Sequence, residues 1–222
     1  MNPRRYDENV AAYGQYCALS KALEVLGDRW TLLIVRELMT RGPLRYSEIQ
    51  AGLPGVASNL LATRLTDLEA AGVISRGSAK GKSSNRFSLT DRGRDLRSVM
   101  GELGRWGEPL LEGAPKTDAF RMCWLSANLD VLQDSEPKRP RASIQLQIRD
   151  ESAVVDVSRG IVSLRSGTDA SPDATLKGEP MLVCSVLFRR MTLNAARKRG
   201  LRFEGDPTVL DRLQPLDRRT AP

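Results

Sequence analysis

The sequence predicts an α+β protein built from two domains of different architecture. Residues 58–92 have the pattern of a helix, a strand, a loop rich in Gly, Ser and Lys, and a second strand. Residues 143–164 alternate apolar and polar side chains, which is typical of half-buried strands. Between these segments, Gly113-Ala114-Pro115 contains two residue types that interrupt regular structure. We therefore expect a helical domain with a β-hairpin at 1–114, and an α+β domain with a mainly antiparallel sheet at 115–222.

Composition favours contact with a polyanion. The 222 residues are 41% hydrophobic, which is enough for a core in each domain, and the net charge is +7 with a pI of about 9.7. No apolar run approaches the roughly 20 residues that span a bilayer. The two arginines at positions 4 and 5 precede no apolar segment, so a secretory signal is not expected and the cytoplasm is the expected location.

The residue types argue against an enzyme. The chain has no histidine, which excludes histidine-based triads, metal ligands and general bases. Its three cysteines are far apart and form no CxxC pair, which argues against zinc ribbons and disulfide frameworks. Carboxylates such as Asp150, Glu151 and Asp211 have no nucleophile or metal-ligand set beside them in sequence. We expect no catalytic residue, no metal and no cofactor.

Apolar residues at helical spacing predict the elements of the first domain. The spacing predicts helices over 8–26 and 29–40, then a short helix from Tyr46 with Ser47 as a candidate cap. A third helix is predicted over 58–71, with a buried stripe of leucines at its core face: Leu61, Leu65 and Leu68. Gly72 then has the position of a residue that ends the helix.

A strongly basic hairpin follows the third helix. Strands are predicted at 73–76 and 85–89, joined by the flexible linker 77–84. From Arg76 to Arg97 there are seven basic residues against two acidic ones. A helix that fits a groove, followed by a cationic hairpin that can lie along phosphates, is the arrangement of a winged helix, and it predicts duplex DNA as the partner.

Side chains near the start of the third helix are the candidates for reading bases. Asn59 could pair with adenine, and Arg64 with guanine or a phosphate; alternatively Arg64 forms a salt bridge with Asp67 or Glu69 on its own helix. Ser58 and Thr63 could serve either role. The candidates for phosphate contact, which positions the protein without reading sequence, are Lys80, Lys82 and Arg86 on the hairpin, and Arg45 and Ser47 before the third helix.

Residues 16–93 resemble the HxlR-type winged-helix transcription regulators, relatives of the MarR regulators. The resemblance rests on a combined pattern of quoted segments: YCALSKALEVLGDRW, TLLI, REL, RYSEI, LPG and LTDRG, with Arg64-Leu65, Leu68-Glu69 and Gly72-Val73 between them. It implies a homodimer that binds a palindromic operator, usually as a repressor, with the dimer built from 8–26 and 91–112. The linker GSAKGKSS lacks the prolines that this family often has there.

Cys17 has the position of a redox-sensing thiol in several members of that family. A sensing role requires an exposed thiol with a lowered pKa. The alternative is a small residue buried at a helix interface. In sequence, the only strong cation near Cys17 is Lys21, one turn further on.

The second domain resembles the sterol-carrier-protein-like fold. The pattern predicts a helix over 117–130, a strand meander over 143–164, a short strand at 174–176 and an apolar helix from Pro180. The resemblance rests on that meander, on PDATLKGEP before the helix, and on LRFEGDP at 201–207.

This second resemblance implies an apolar tunnel for a fatty or sterol-like molecule. The candidate lining residues are Phe120, Trp124, Met181, Leu187, Phe188 and Met191. Ordinary core packing is the alternative for each of them, since apolar side chains fill a core as readily as they line a pocket. The leading interpretation is a dimeric regulator responsive to an apolar small molecule; the second is a lipid carrier that uses the winged helix only as an interaction module.

Overall fold

The chain folds into two compact units, Met1–Met100 and Gly101–Pro222. The computed structural model describes residues 12–77, 85–115, 117–129 and 132–215. Among these, no helix is both long and apolar enough to cross a membrane.

The first unit is a winged helix, as the sequence predicts. Its three strands form an antiparallel sheet in the order β1-β3-β2. The last helix of this unit continues into the second unit. The helices are α1 (Ala18–Leu26), α2 (Thr31–Arg41), α3 (Tyr46–Gly52), α4 (Ser58–Ala70), α5 (Asp91–Arg94) and α6 (Leu96–Gly107); the strands are β1 (Leu44–Arg45), β2 (Ile74–Gly77) and β3 (Arg86–Leu89).

The core of the first unit holds α4 by the predicted leucine stripe. Leu61, Leu65 and Leu68 are all buried and pack with Ile34 of α2 and Phe87 of β3. Each fully buried leucine contributes about 1.5–3 kcal/mol relative to an exposed one. The polar residues of α4 are thereby directed to the opposite, solvent-facing side.

Two capping arrangements fix the ends of the elements around the hairpin. Gly72 has a φ of +70° and donates to the Glu69 carbonyl, while Val73 donates to the Leu68 carbonyl, which is the Schellman ending expected of a glycine there. Thr90 caps α5 by accepting a hydrogen bond from the Gly93 N–H at 3.1 Å. The direction in which the chain leaves α4 for the hairpin is therefore set by backbone bonds.

The first helix is shorter than its apolar spacing predicts. Of the predicted 8–26, residues 12–17 are not helical, residues 8–11 lie outside the described residues, and α1 begins at Ala18. Gly14 takes a left-handed φ of +63°, and Cys17 is extended with a φ of −140°. The left-handed glycine interrupts the helix, and Cys17 becomes its N-cap residue.

The N-terminus of α3 is capped by a different residue from the one predicted. The residue before the helix is Arg45, and its backbone N–H donates to the Glu48 carboxylate at 2.7 Å. The prediction that Ser47 caps this helix is wrong, because Ser47 lies within the first turn and the acidic residue at the third helical position takes that role.

The second unit is an α+β domain with a mainly antiparallel sheet, as predicted. A five-stranded sheet has the order β7-β6-β5-β8-β9, in which only the β5–β8 pairing is parallel; β4 and β10 form a separate antiparallel pair. The helices are α7 (Ser126–Leu129), α8 (Pro180–Leu187), α9 (Leu193–Lys198) and α10 (Thr208–Asp211), with 3-10 helices at Glu108–Leu111 and Met122–Leu125; the strands are β4 (Leu132–Asp134), β5 (Ala142–Ile148), β6 (Glu151–Ser158), β7 (Ile161–Ser166), β8 (Ala174–Lys177), β9 (Arg202–Gly205) and β10 (Leu213–Pro215).

The core of the second unit lies between the sheet and helices. Ile144, Leu146 and Ile148 alternate along β5 and are fully buried, which confirms the half-buried strand predicted there. They belong to the same apolar cluster as Val183 and Leu187 of α8, which are also fully buried. The alternating apolar residues of β5 therefore identify the face of the sheet against which the helices pack.

The helix predicted over 117–130 is mostly absent from the described part of that segment. Regular structure there is limited to the 3-10 helix Met122–Leu125 and to α7. Arg121 is extended, and the N–H of Met122 donates to the Glu151 carboxylate at 2.8 Å. A side chain from β6 thus replaces the helical partner that this N–H would otherwise need.

Candidate nucleic-acid interface

Helices α3 and α4 form a helix-turn-helix whose second helix is held at its first residue. The Tyr46 hydroxyl donates to the Ser58 carbonyl at 2.6 Å, and the Gln50 amide donates to the Ser58 hydroxyl at 2.8 Å. Two side chains of α3 therefore fix the N-terminus of α4. Local sequence patterns did not identify Tyr46 and Gln50 in this role, because both contacts cross the turn between the helices.

The start of α4 presents short polar side chains to solvent. Ser58, Asn59 and Thr63 are exposed. Asn59 and Thr63 lie opposite the leucine stripe, as the sequence predicts, whereas Ser58 lies on the same side as the stripe, as the first residue of the helix. The Thr63 hydroxyl donates to the Asn59 carbonyl at 3.1 Å, and the Asn59 side-chain oxygen accepts from the Leu60 N–H at 2.9 Å. These side chains lie where a helix entering a major groove meets base edges.

Arg64 is held in ion pairs within the first unit. Its guanidinium lies 2.6 Å from the Asp28 carboxylate, in the turn after α1, and 3.1 Å from Asp67 on its own helix. Its side chain is only 20% exposed. The salt bridge to Asp67 is the alternative that the sequence left open, while the pairing with Asp28, 36 positions away, follows no local pattern.

The predicted phosphate-contacting residues around α3 differ in their surroundings. Arg45 and Ser47 are exposed at the start of the helix. Arg86, on β3, instead donates to the Pro43 carbonyl at 2.8 Å and to the Glu48 carboxylate at 3.2 Å, which ties the hairpin to α3. The hydrogen bond from the Arg45 N–H, with the positive charges of Arg86, Arg45 and Arg41, lowers the pKa of Glu48.

The hairpin itself is described only at its base. Lys80 and Lys82 lie outside the described residues. At the base of the hairpin, the Arg76 guanidinium lies 4.8 Å from the centre of the Phe87 ring. Arg76 thus places a positive charge on β2, the strand that pairs with β3 and its Arg86.

A buried carboxylate of α2 packs against the first helix of the helix-turn-helix. Glu37 is fully buried, 3.0 Å from the Arg36 guanidinium and 3.2 Å from that of Arg41. Arg41 also donates to the Glu48 carbonyl of α3 at 3.1 Å. A Cβ on Gly52 would lie 2.2 Å from the Glu37 carboxylate, so this close packing of α2 and α3 requires glycine at position 52.

Cys17 and Cys184 have opposite environments. Cys17 is exposed at the start of α1, and hydrogen bonds from the backbone of Ser20 and Leu19 lower the pKa of its thiol. Within the single chain, Cys17 is therefore not buried. Burial raises the pKa of the Cys184 thiol to about 12, with Glu108 as a second cause.

The six candidate ligand residues all lie in the second unit, at different depths. Leu187 is fully buried within the core. Phe120, Met181, Phe188 and Met191 are partly buried and pack against that core, and Trp124 is also partly buried. Leu187 thus has the environment of a core residue, whereas the others lie at the boundary of the core.

Two helices expose apolar side chains that a folded chain normally covers. On α1 these are Leu19 and Leu23. On α6 and the 3-10 turn after it, exposed apolar residues recur every three or four positions, with Trp106 as much as 73% exposed: Val99, Leu103, Trp106 and Leu110. Val99, Leu103 and Trp106 therefore form an apolar stripe on one face of α6, and Leu110 follows in the 3-10 turn.

Family models match both units of the chain. Residues 25–114 match the HxlR-like helix-turn-helix family, and residues 129–217 match the SCP-2 sterol transfer family. Both matches agree with the resemblances carried by the motifs of the sequence.

Similar proteins are regulators of the helix-turn-helix type. The HTH-type transcriptional regulator YvaP of Bacillus subtilis is 39% identical over 87 residues, a match that covers 39% of this chain and 80% of YvaP. The HTH-type transcriptional regulator YodB of the same organism is 32% identical over 95 residues, which cover 42% of this chain and 84% of YodB. The crystal structure of quinone-bound YodB matches with a TM-score of 0.36 and 30% identity, covering 41% of this chain and 96% of YodB.

Proposed function

The chain belongs to the HxlR-like helix-turn-helix family of DNA-binding transcriptional regulators, and from this premise we propose that it acts as a homodimeric repressor of a palindromic operator. The observation that carries the proposal is the start of α4. Its exposed polar residues are held in place by the hydrogen bonds from Tyr46 and Gln50 to Ser58. A reading surface that is ordered before binding loses less entropy when DNA arrives.

Within α4, the proposed base-reading residues are Ser58, Asn59 and Thr63. Asn59 has the amide geometry that pairs with adenine in the major groove. The Ser58 hydroxyl, which accepts from Gln50, can donate to a base, and the Thr63 hydroxyl, which donates to the Asn59 carbonyl, can accept from one. Arg64 reaches DNA only by exchanging its contacts with Asp28 and Asp67 for a base or a phosphate. We therefore assign sequence reading first to the three smaller side chains.

The proposed phosphate contacts surround this helix. Arg45 and Ser47 lie exposed at the N-terminus of α3, where backbone N–H groups also favour an anion. Lys80 and Lys82 extend this role to the hairpin on sequence grounds alone. Arg86 holds the hairpin against α3 through Glu48, so its contribution to binding is positional unless a phosphate displaces that carboxylate.

The exposed stripe on α6 supports the homodimer. A second copy of the same stripe supplies the matching apolar surface, as in other symmetric dimers. Two copies of α4 then face a duplex with two-fold symmetry, which is why we expect an inverted-repeat operator with half-sites about one helical turn apart.

Selection from a pool of duplexes with a randomised core tests the proposed function. The full-length protein is expected to enrich inverted repeats, and the enriched duplex should then bind more tightly than a shuffled one by about 10³-fold or more. Enrichment of no sequence, or equal affinity for the shuffled duplex, would show that this chain is not a sequence-specific operator-binding protein.

For the second unit, we propose an apolar effector site at the boundary of its core. The match to the SCP-2 sterol transfer family and the partly buried side chains Phe120, Trp124, Met181, Phe188 and Met191 support it. An effector acts only through unequal affinity for two states of the protein. A fluorescent fatty acid should bind the full-length protein and change its operator affinity; binding without that change would favour a lipid-carrying role.

For Cys17, we propose a redox-responsive thiol. Exposure and a lowered pKa are the two properties that such a thiol requires. Mild oxidant should lower operator affinity in the wild type and leave Cys17→Ser unchanged. Equal responses of both proteins would assign the effect elsewhere.

A further inference from the structure

Helix α4 is tied to the rest of the first unit along both edges of its leucine stripe. With about 3.6 residues per turn, one edge of the stripe carries Ser58 and Glu69, and the other carries Arg64. On the first edge, α3 holds Ser58 through two hydrogen bonds, and the Glu69 carboxylate accepts from the Arg76 N–H of β2 at 3.1 Å. The contacts of Arg64 therefore decide whether the second edge is held as well.

The Arg64 side chain is partly sunk into the first unit. It is 20% exposed, and its Nε is buried without a hydrogen-bond partner among the described residues. Its Nη1 contacts two carboxylates, at 2.6 Å from Asp28 and at 3.1 Å from Asp67. Asp67 belongs to α4 itself, so it cannot restrain the helix. Within the part of the chain that the structure describes, Asp28 is the ion-pair partner that ties Arg64 to a segment outside α4.

The turn that carries Asp28 has a fixed backbone. It joins α1, which ends at Leu26, to α2, which begins at Thr31. The Thr31 N–H donates to the Asp28 carbonyl at 3.3 Å. Trp30 takes a left-handed φ of +77°, which residues other than glycine rarely adopt, and its side chain packs against the core of the unit. The carboxylate of Asp28 therefore extends from a segment that is itself anchored to the core.

We propose that Asp28 is a positioning residue for DNA recognition by α4. Through Arg64 it holds the second edge of the helix, and it thereby fixes the rotation of α4 about its own axis. That rotation decides which base edges Asn59 and Thr63 meet in the major groove. The inference rests on the proposed function and adds to it a residue outside the helix-turn-helix that acts without touching a base.

Asp28 acts on the geometry of α4 more than on the stability of the unit. Its side chain is 62% exposed, and exposed ion pairs add little to the free energy of folding. The leucine stripe stays buried without it, but a helix that is tied along one edge only has more freedom to turn about that stripe. Loss of the Asp28 charge should therefore weaken discrimination between duplexes while the fold is kept.

Asp28→Asn tests the proposal in the full-length protein, because it removes the charge and keeps the size of the side chain. The measured quantity is the ratio of the affinities for the selected operator and for a shuffled duplex, by competition binding. This ratio should fall by about fivefold or more, since one base contact is worth at least that much discrimination. A loss of folded protein would weaken both duplexes alike, so it would leave the ratio unchanged.

Asp67→Asn is the matched control. Asp67 pairs with the same nitrogen of Arg64, but from within α4, so this variant removes the same charge without untying the helix. It should keep the wild-type ratio. Removal of a negative charge near DNA strengthens the contact with phosphates on any sequence, so this effect cancels in the ratio for both variants.

A double-mutant cycle shows whether Asp28 acts through Arg64. Arg64→Gln should lower the ratio on its own. The addition of Asp28→Asn to Arg64→Gln should then cause no further loss, because the partner of the carboxylate is already absent. Additive losses would show that Asp28 acts independently of Arg64, and they would overturn the proposal.

The remaining outcomes separate this inference from the proposed function. If the wild type binds the two duplexes equally or not at all, the proposed function itself fails. If the wild type prefers the operator and Asp28→Asn keeps the same ratio as Asp67→Asn, only the role of Asp28 is wrong. If Asp28→Asn raises the ratio, Asp28 keeps Arg64 away from a base, and the positioning role is again wrong.

Discussion

At the scale of single residues, the proposed recognition of DNA depends on a few polar side chains at the start of α4. Asn59 and Thr63 are exposed because Leu61, Leu65 and Leu68 occupy the opposite face of the helix, whereas Ser58 is exposed as the first residue of α4. The same amphipathic pattern that builds the core therefore selects the side chains available to DNA.

Asn59→Ala tests this assignment directly. Removal of the amide should cost about 1–3 kcal/mol of discrimination at one base pair of each half-site, because alanine cannot form the two hydrogen bonds to that base. Competition binding with single-base variants of the selected operator measures it. Thr66→Ala is the control: Thr66 is exposed one turn further along and donates to the Ala62 carbonyl, much as Thr63 donates to that of Asn59.

The control should keep the wild-type ranking of the duplex variants. If Asn59→Ala keeps that ranking as well, Asn59 does not read a base. If it weakens all duplexes equally, Asn59 contributes only to backbone contact.

A second residue-scale prediction concerns Glu37 beneath the helix-turn-helix. Glu37→Ala removes the buried carboxylate that pairs with Arg36 and Arg41, and we expect the free energy of unfolding to fall by about 3–5 kcal/mol. Urea denaturation measures this change. Glu102→Ala, which removes an exposed partner of Arg105, should cost no more than about 1 kcal/mol. Equal costs would show that the Glu37 ion pairs add little to stability.

At the scale of elements, the stripe on α6 predicts how the chain assembles. Leu103→Glu places a charge in the middle of the exposed apolar stripe, and it should weaken the dimer by about 100-fold or more, since an unpaired charge is costly in a buried interface. Sedimentation at a series of protein concentrations measures the effect. Ser98→Glu adds the same charge to another exposed position of α6 and should leave the dimer intact. A dimer in both variants would place the interface elsewhere.

The ribbon of β4 and β10 predicts an acid-sensitive element in the second unit. Arg212 lies 3.0 Å from the buried Asp134 carboxylate and also donates to the Pro140 carbonyl at 2.8 Å. Hydrogen bonds from Arg212, then from the Glu136 and Gly160 N–H groups, lower the pKa of Asp134. Its folded pKa lies below the unfolded value of about 3.9, so the pair stabilises the fold above about pH 4 and loses that effect as pH falls through the folded pKa.

Urea unfolding at pH 7 and at pH 3 tests this linkage. The wild type should be less stable at pH 3, and Asp134→Asn should show a smaller difference between the two pH values because its side chain does not titrate. Asp211→Asn removes the exposed partner of Arg189 and should retain most of the wild-type difference. If Asp134→Asn shows the full wild-type difference, other carboxylates cause the acid sensitivity.

At the scale of the whole molecule, the sequence predicted the architecture better than it predicted the contacts. Periodicity identified α4, β5 and α8 because each buries one regular face, and Gly72 identified where α4 ends. The prediction of a helix over 117–130 was wrong, because the Met122 N–H donates to the carboxylate of Glu151 on β6. Local periodicity contains no information about such a partner.

In the candidate site, too, the sequence predicted the exposure of side chains better than their contacts. The exposure of Asn59 and Thr63 follows from the helix pattern. The pairing of Arg64 with Asp28 and of Arg86 with Glu48 depends on how distant segments meet, so sequence offered Arg64 a choice of partners and gave Arg86 a phosphate role without indicating its carboxylate contact.

Fluorescence anisotropy and sedimentation of the complex measure how the full-length protein binds the selected operator and how many chains it places there. We predict two protein chains per duplex, and a decrease in affinity of about 100-fold or more when five base pairs, roughly half a helical turn, are inserted between the half-sites. One chain per duplex, with affinity unchanged by the insertion, would contradict a dimer that reads an inverted repeat through two copies of α4.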